Sequence, residues 1–409
     1  EADPSMDMAK KGVLFVDNEM RKSYDWLKKN HVDMSKKLIG SMEIHYLYTR
    51  SFFTDVPVQK QNLEAYNYWI SQAEKYWLGE TPYMSAMIAA ALWRLDRKDA
   101  PKKIIASLRE RAIYHDELGM YFKENMGGYY WYQFPIETQA VIIEAFQEVT
   151  KDIKTVDDLK TWLIKMKQVQ SWKTTKATVD AIYALLIGGS DWLKNNKNAE
   201  ITLGNIKVDP AKMGAKTEAG TGYFKVAWNG SDVKPEMGKV TVINPNSNPA
   251  WGAVYWQYFE QLDKITPAET PLKLEKKIFK EIQTDKGPKL EPVSNNSLLS
   301  PGDRLKVRIV LRTDRDMEFI HMKDMRAAGT EPENVLSRHK YQDGLWYYES
   351  TKDVSTDFFI ERLNKGTYVF EYPLRVNLKG NFSAGITTIQ CMYAPEFTAH
   401  SEGIRVEVK

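Results

Sequence analysis

Two periodicities divide this chain. Up to about Ser190, apolar residues recur every three or four positions, the spacing of helices with one buried face. Leu63, Tyr66, Ile70, Ala73 and Trp77 form one such stripe, and Met84, Met87, Ile88, Ala91, Leu92 and Leu95 form another. The second is preceded by Thr81 as N-cap and Pro82 at the first helical position. Ile136, Ala140, Ile143, Phe146 and Val149 make a third stripe. Thr155-Val156-Asp157-Asp158 reads as a capping box with Asp in place of Glu, opening a helix with Leu159, Trp162, Leu163 and Met166. Val179, Ile182, Tyr183 and Leu186 run to a stop at Gly188-Gly189. Weaker candidates lie near 18–29, 38–50 and 102–113. The pattern predicts about eight helices on short loops, hence antiparallel pairs in a bundle, a solenoid or an α/α toroid.

Beyond Asn195 the period becomes two. Ile201 and Leu203 alternate, as do Val240 and Val242, and Leu305, Val307, Ile309 and Leu311 do so between Lys and Arg residues. Tyr368, Phe370, Tyr372, Leu374 and Val376 form a long aromatic alternation, in which Pro373 points to an edge strand or a bulge. Ile404, Val406 and Val408 close the chain. Asn229-Gly230, Asp343-Gly344 and Lys365-Gly366 are turn signals between these runs. Strands without intervening helices imply β-sandwich material. The Pro-, Lys- and Asn-rich stretch 266–301 sets a second boundary near 290. The expected fold is multidomain α + β. A helical domain (1–195) is followed by two antiparallel β-sandwich domains (196–290 and 291–409).

Composition narrows the function. The chain has 409 residues, 43% hydrophobic and 27% charged, a globular balance with room for several domains. Its 57 Lys and Arg against 54 Asp and Glu give a net charge of +3, without the basic excess of a nucleic-acid binder. Mean hydropathy is −0.49, and no apolar run is long enough for a membrane-spanning helix. A single cysteine excludes a disulfide framework and any multi-cysteine metal site. The chain opens Glu1-Ala2-Asp3, with neither an initiator Met nor a signal peptide, so a piece cut from a longer protein is expected.

The chemistry-bearing residues are sparse. None of the six histidines stands in His-Glu-x-x-His or pairs with another at helical spacing, so no metal and no cofactor is expected. His115-Asp116-Glu117 beside Leu118-Gly119 reads as a solvated turn, and no Gly-x-Ser-x-Gly elbow is present. Cys391 sits in an alternating strand and reads as buried and structural. One alternative is a periplasmic glycosidase or polysaccharide lyase on a toroid with accessory sandwiches. There the loop Gly127–Phe134, through Tyr130 and Trp131, would stack on sugar rings. Glu43, Asp116, Glu117 and Glu137 would be its candidate carboxylates. Glu137 has a competing role, since a carboxylate in a first helical turn meets the helix dipole.

Several unusual blocks carry a family resemblance. They are Asp314–Met325, Ala327–Pro332, Gly344-Leu-Trp-Tyr-Tyr348, Lys365–Tyr372 and Met392-Tyr-Ala-Pro-Glu396. Together they resemble the final macroglobulin-like domain of bacterial alpha-2-macroglobulin family proteins. Trp251–Tyr258 resembles the CUB-like β segment that follows the family's thioester domain. Glu137-Thr-Gln-Ala140 and Trp172–Thr178, followed by Ala181 and Ala184-Leu185, are similar to late helices of its α/α-toroid thioester domain. The resemblance covers about residues 60–409. It implies a broad-spectrum, non-enzymatic protease trap, with attacking proteases and upstream macroglobulin domains as partners. It also implies a periplasmic or cell-envelope location, through a lipoprotein anchor further upstream.

In many members of this family a Cys-x-Glu-Gln thioester acylates the captured protease. Here the sole cysteine lies in Gln390-Cys391-Met392, so that motif is absent from this sequence. Either the thioester lies upstream or capture is steric. Eight helices, against about twelve in a toroid of six pairs, imply a helical domain truncated at its N-terminus. The resemblance assigns one role to this chain's residues. Met392 and Tyr393 would contact the helical domain and shield a thioester from water; the competing reading is a strand end buried in its own sandwich.

Overall fold

The structure, a computed structural model, describes residues 4–125, 134–189, 197–218, 222–246, 250–294 and 297–409. The chain separates into two compact units, one made of residues 1–165 and 172–251, the other of 166–171 and 252–409. Among the described residues there are eight α-helices, all in the first part of the chain, and antiparallel sheets thereafter. The fold class is the one the periodicity predicts.

The helices are α1 (Pro4–Lys29), α2 (Ser41–Arg50), α3 (Leu63–Tyr76), α4 (Pro82–Arg94), α5 (Asp99–Arg111), α6 (Pro135–Val149), α7 (Ile153–Val169) and α8 (Thr175–Leu186). A short hairpin, β1 (Ala112–His115) and β2 (Gly119–Phe122), joins α5 to α6. Helices α2, α4, α6 and α8 pack one against the next in chain order. At the centre, α4 buries Ala86 through Leu92 and α6 buries Ile136 through Phe146, so both are enclosed on every side. Thr81 caps α4 as expected, its side chain accepting from Met84 N with Pro82 in the first turn.

Two helical details differ from the sequence reading. Helix α7 begins at Ile153, and Asp152 caps it by accepting from Thr155 N (3.2 Å) and Thr155 Oγ1 (2.7 Å). The Asp152 carboxylate, three residues earlier, accepts from those donors, so Thr155 is capped rather than capping. In α8 the stripe Val179, Ile182, Tyr183 and Leu186 lies exposed, while Ala177, Ala181 and Ala184 are buried. Small residues let α8 approach α6 closely, and that contact outweighs the larger apolar face.

The first unit ends in a small sheet, β3 (Glu200–Leu203) between β4 (Ile206–Val208) and β5 (Val240–Ile243). Leu203, Val208 and Met237 form its core, with Ile201, Phe224 and Trp228 packed against them.

The second unit is a two-sheet sandwich. Its strands are β6 (Leu272–Thr284), β7 (Gly287–Pro292), β8 (Arg304–Thr313), β9 (Met317–Met325), β10 (Thr330–Pro332), β11 (Arg338–Gln342), β12 (Leu345–Thr351), β13 (Ser355–Leu363), β14 (Gly366–Val376), β15 (Gly380–Ser383), β16 (Thr387–Cys391), β17 (Ala394–His400) and β18 (Arg405–Val408). One sheet has the order β10-β14-β8-β6-β7, the other β11-β12-β13-β9-β16-β17, with β15 and β18 paired separately. Strand β6 pairs with β8 from Leu272 to Lys280, which draws residues before the boundary expected near 290 into this sandwich. Strand β14 is interior by order, yet Pro373 lies where the three-residue β10 ends. There Pro373 pairs with Lys306, and its carbonyl accepts from Glu333 N. An edge-like position therefore exists inside the sheet, and Pro373 forfeits no ladder bond to β10. Asp343 and Gly344 both take positive φ, 52° and 79°, the twist a two-residue hairpin needs between β11 and β12.

Both sheets contribute to one core. Leu305, Val307, Ile309 and Leu311 from β8 meet Ile320, Met322, Phe358, Ile360 and Ile389 from the facing sheet. Phe370 of β14 lies edge-on to Phe358 at 5.3 Å and to Tyr347 at 5.2 Å. Across this core Lys276 Nζ reaches Asp324 Oδ1 at 2.8 Å, with both side chains almost wholly enclosed. Lys276 also donates to Met325 O (2.6 Å) and Ala384 O (3.0 Å), and Asp324 accepts from Thr387 Oγ1 (2.6 Å) and Tyr372 OH.

A buried charge without its partner is costly, so Asp324→Ala should lower the unfolding free energy by about 3–5 kcal/mol. Tyr372→Phe, which removes one hydrogen bond to a charge, should cost about 1.5–3 kcal/mol. Urea midpoints of the two variants test the order. Asp357 gives a pH signature. Burial pushes its carboxyl up, but His321, Ser355 and Lys352 outweigh burial and hold it below its usual range. A depressed folded-state pKa contributes stability above the ordinary carboxylate range and loses it as pH falls through the folded value. Asp357→Asn should flatten the decline in urea midpoint between about pH 5 and pH 2 relative to the parent chain.

Candidate functional site

The candidate site is a protruding turn held by three strands. Strand β9 runs between β13 and β16, and β16 reverses into β17. The reversal takes two residues, Met392 and Tyr393, between the paired Cys391 and Ala394. A register shift between Gln390 and Cys391 marks a bulge, which sharpens the local twist and re-aims the turn. Met392 is 57% exposed and Tyr393 is 77% exposed, so neither is a strand end buried in its own sandwich.

Phe319 of β9 supports this turn. Met392 N donates to Phe319 O at 2.9 Å, and the Tyr393 ring meets the Phe319 ring edge-on, with centroids 5.2 Å apart. Phe319 takes φ +57°, a left-handed conformation that costs a bulky L-residue about 1–2 kcal/mol. Its ring is 41% exposed, giving with Met392 and Tyr393 an apolar tip of three side chains. Below the tip, Cys391 is buried and its Sγ donates to Glu318 O at 3.4 Å. Burial pushes the thiol up from its ordinary value, so the chain's only sulfhydryl is a packed, protonated group rather than a nucleophile.

Sequence reasoning singled out Met392 and Tyr393 but not Phe319. The signal was present. Apolar residues alternate from Ile320 through Met322, while Met317 is out of phase with them, so the pattern slips by one residue around Phe319.

The other candidates have structural partners. Glu137 is buried, its Oε1 accepting from Thr174 Oγ1 at 3.4 Å. Glu43 Oε2 accepts from Gly40 N at 2.9 Å, closing the start of α2. Glu117 lies 3.6 Å from Lys165 Nζ. His115 Nδ1 accepts from Glu117 N and Leu118 N within the β1–β2 turn. Tyr130 and Trp131 lie outside the described residues. Among the described residues there is no cluster of three or more His, Cys, Asp or Glu placed to hold a metal ion. Nor is any helix among them long and apolar enough to cross a membrane.

Residues 272–396, which contain both sheets' central strands and the tip, match the family model of the bacterial alpha-2-macroglobulin MG10 domain. The chain carries a bacterial alpha-2-macroglobulin MG10 domain. The resemblance drawn from the C-terminal blocks is borne out by that match, which includes the Met392–Glu396 block. Among solved structures, trypsin-activated alpha-2-macroglobulin from Escherichia coli is 14% identical, with a TM-score of 0.39, over 90% of this chain and 23% of that one. The same organism's alpha-2-macroglobulin activated by porcine elastase is 14% identical, with a TM-score of 0.36, over 90% of this chain and 30% of that one. This chain thus spans less than a third of either, and such low scores carry no argument by themselves. A Dictyostelium discoideum protein, circularly permutated Ras protein 2, is 23% identical over 123 residues, 30% of this chain and 3% of its own length.

Within the MG10 domain the strained tip gives a direct test. Phe319→Gly removes the left-handed penalty and a partly exposed ring, so the melting temperature should stay level or rise. A fall in melting temperature would show that the Phe319–Tyr393 contact outweighs the strain.

Proposed function

We propose that this chain forms the C-terminal part of a bacterial alpha-2-macroglobulin-like, broad-spectrum protease inhibitor, with a binding and conformational role and no catalysis. The MG10 match over residues 272–396 carries this reading. The whole molecule captures an attacking protease after a conformational change, and upstream macroglobulin domains of the same polypeptide complete it. Packing of α2, α4, α6 and α8 in chain order supports a toroid-like, thioester-domain-like helical part. The three-stranded sheet then stands for the β segment that follows it, and MG10 closes the chain. The molecule works in the periplasm or cell envelope, anchored through an upstream segment.

The tip gives the reading its local chemistry. Met392 and Tyr393 protrude from the MG10 domain and offer apolar surface to a partner surface. Apolar side chains that exclude water protect an acyl donor, or latch a resting conformation where no acyl donor exists.

The test uses the full-length parent protein. After incubation with trypsin or elastase, the captured protease should keep its activity on a small peptide substrate and lose at least about tenfold on a large protein substrate. Equal activity on both substrates defeats the trap reading. In the same assay, Met392→Ala with Tyr393→Ala should weaken the resting state, seen as a conformational change on native gels before any protease is added. If the double variant stays compact and responds to protease as the parent does, the tip has no latching or shielding role.

A further inference from the structure

A short segment from far upstream grips the feet of the protruding turn. Residues 166–171, the last turn of α7 and the two residues after it, belong to the second unit. Val169 is 4% exposed and, alone of the segment, joins the sandwich core. Around that anchor the segment donates hydrogen bonds. Gln168 Nε2 donates to Glu396 Oε1 at 2.5 Å, and Gln170 Nε2 donates to Asp316 O at 3.3 Å. Ser171 donates twice to Glu318 Oε2, from N at 3.2 Å and from Oγ at 3.3 Å.

The acceptors flank the turn on both sides. Asp316 and Glu318 lie just before Phe319, and Glu396 lies three residues beyond Tyr393. Glu318 O accepts in turn from Cys391 Sγ, and Phe319 O accepts from Met392 N, so the gripped residue is joined to the strand that enters the turn. Phe319 has no partner in the β13 ladder and precedes the β16 ladder, which begins at Ile320. Its left-handed backbone is therefore held from its flanks, and such strain persists only while the surroundings over-determine it.

We propose that residues 166–171 are a releasable clamp that sets the protruding turn, with Gln168, Gln170 and Ser171 as positioning residues and Val169 as the anchor. Docked, the clamp pins both feet of the turn and keeps Phe319 under Tyr393. On release, water takes over the Glu318 and Glu396 carboxylates, Phe319 loses the hold on one flank, and its backbone relaxes out of the left-handed region. The edge-on contact with Tyr393 then opens. Two features keep the release local. The hydrogen bonds are ones that water replaces at small net cost, and a single valine, rather than a whole apolar face, leaves the core. The chain enters the segment along α7 and leaves it toward α8, so a pull on either neighbour reaches the turn directly. Use of this device to control the tip rests on the trap reading; the clamp itself does not.

Amide hydrogen exchange of the full chain, read by mass spectrometry without any protease partner, tests the clamp. Three peptides are followed: 166–171 for the clamp, 388–396 for the turn and 305–311 for the core. Val169→Asp ejects the anchor. A second variant, Gln168→Ala with Gln170→Ala and Ser171→Ala, touches no core residue and leaves only the Ser171 N bond. Exchange in 166–171 and 388–396 should rise about tenfold while 305–311 keeps the parent rate, and Val169→Ile should match the parent throughout. Val169→Asp decides the matter if its 305–311 peptide keeps the parent rate; otherwise the triple variant decides. An unchanged 388–396 peptide in the deciding variant overturns the proposal. Faster exchange of 305–311 in both variants also overturns it, because the segment would then be part of the fold's global stability. These outcomes are independent of the substrate assay that tests the trap, so either reading fails without the other.

Discussion

One buried ion pair holds the second unit in register. Lys276 comes from β6 in one sheet and Asp324 from β9 in the other, and they meet across the core with both charges enclosed. Such a pair contributes little net stability against an apolar replacement, because desolvation consumes most of the attraction. Its value lies in what it forbids. Sliding β9 by one residue would strand both charges and the Tyr372 hydroxyl that also binds Asp324.

That constraint reaches the protruding turn, because β9 supplies its support. Phe319, near its start, supports the Met392–Tyr393 turn; His321, two residues on, stacks on Phe359 of β13. A bulge next to Cys391 and the left-handed Phe319 let one strand serve both. Strain of this kind persists only where the surrounding ladder and core over-determine the backbone. Strand β13 pairs with β9 from Met317 to Met325, skipping Phe319, and β16 pairs with Ile320 through Asp324, so the ladders hold the chain on either side of Phe319.

The helical part follows a different logic. Its centre is α4 and α6, enclosed on every side, and Arg94 and Glu144 enter this interior as a pair. Arg94 of α4 meets Glu148 and Glu144 of α6, and Tyr48 of α2 also donates to Glu144. Burial raises the Glu144 carboxyl despite Arg94, as expected where desolvation exceeds the attraction of one nearby cation. The cluster ties α2, α4 and α6 together, whereas α8 is held through alanines and leaves its larger apolar residues outside.

The change of period near 190 was enough to separate the helices from the sheets beyond them, because amphipathic spacing is a local property of each element, but the four-residue strands β1 and β2 among the helices are too short to show a period. The Thr81-Pro82 start, the Asp343-Gly344 turn and the MG10 blocks were likewise legible, being set by residues adjacent in sequence. Which apolar face goes inside was not. Val179, Ile182 and Leu186 are a perfect helical stripe that tertiary packing leaves in water, because Ala181 and Ala184 allow a closer contact. The pairing of β6 with β8 and of Lys276 with Asp324, the support of Tyr393 by Phe319 and the stacking of His321 on Phe359 all join residues distant in sequence. They depend on strand order and register, which only the assembled sheets decide.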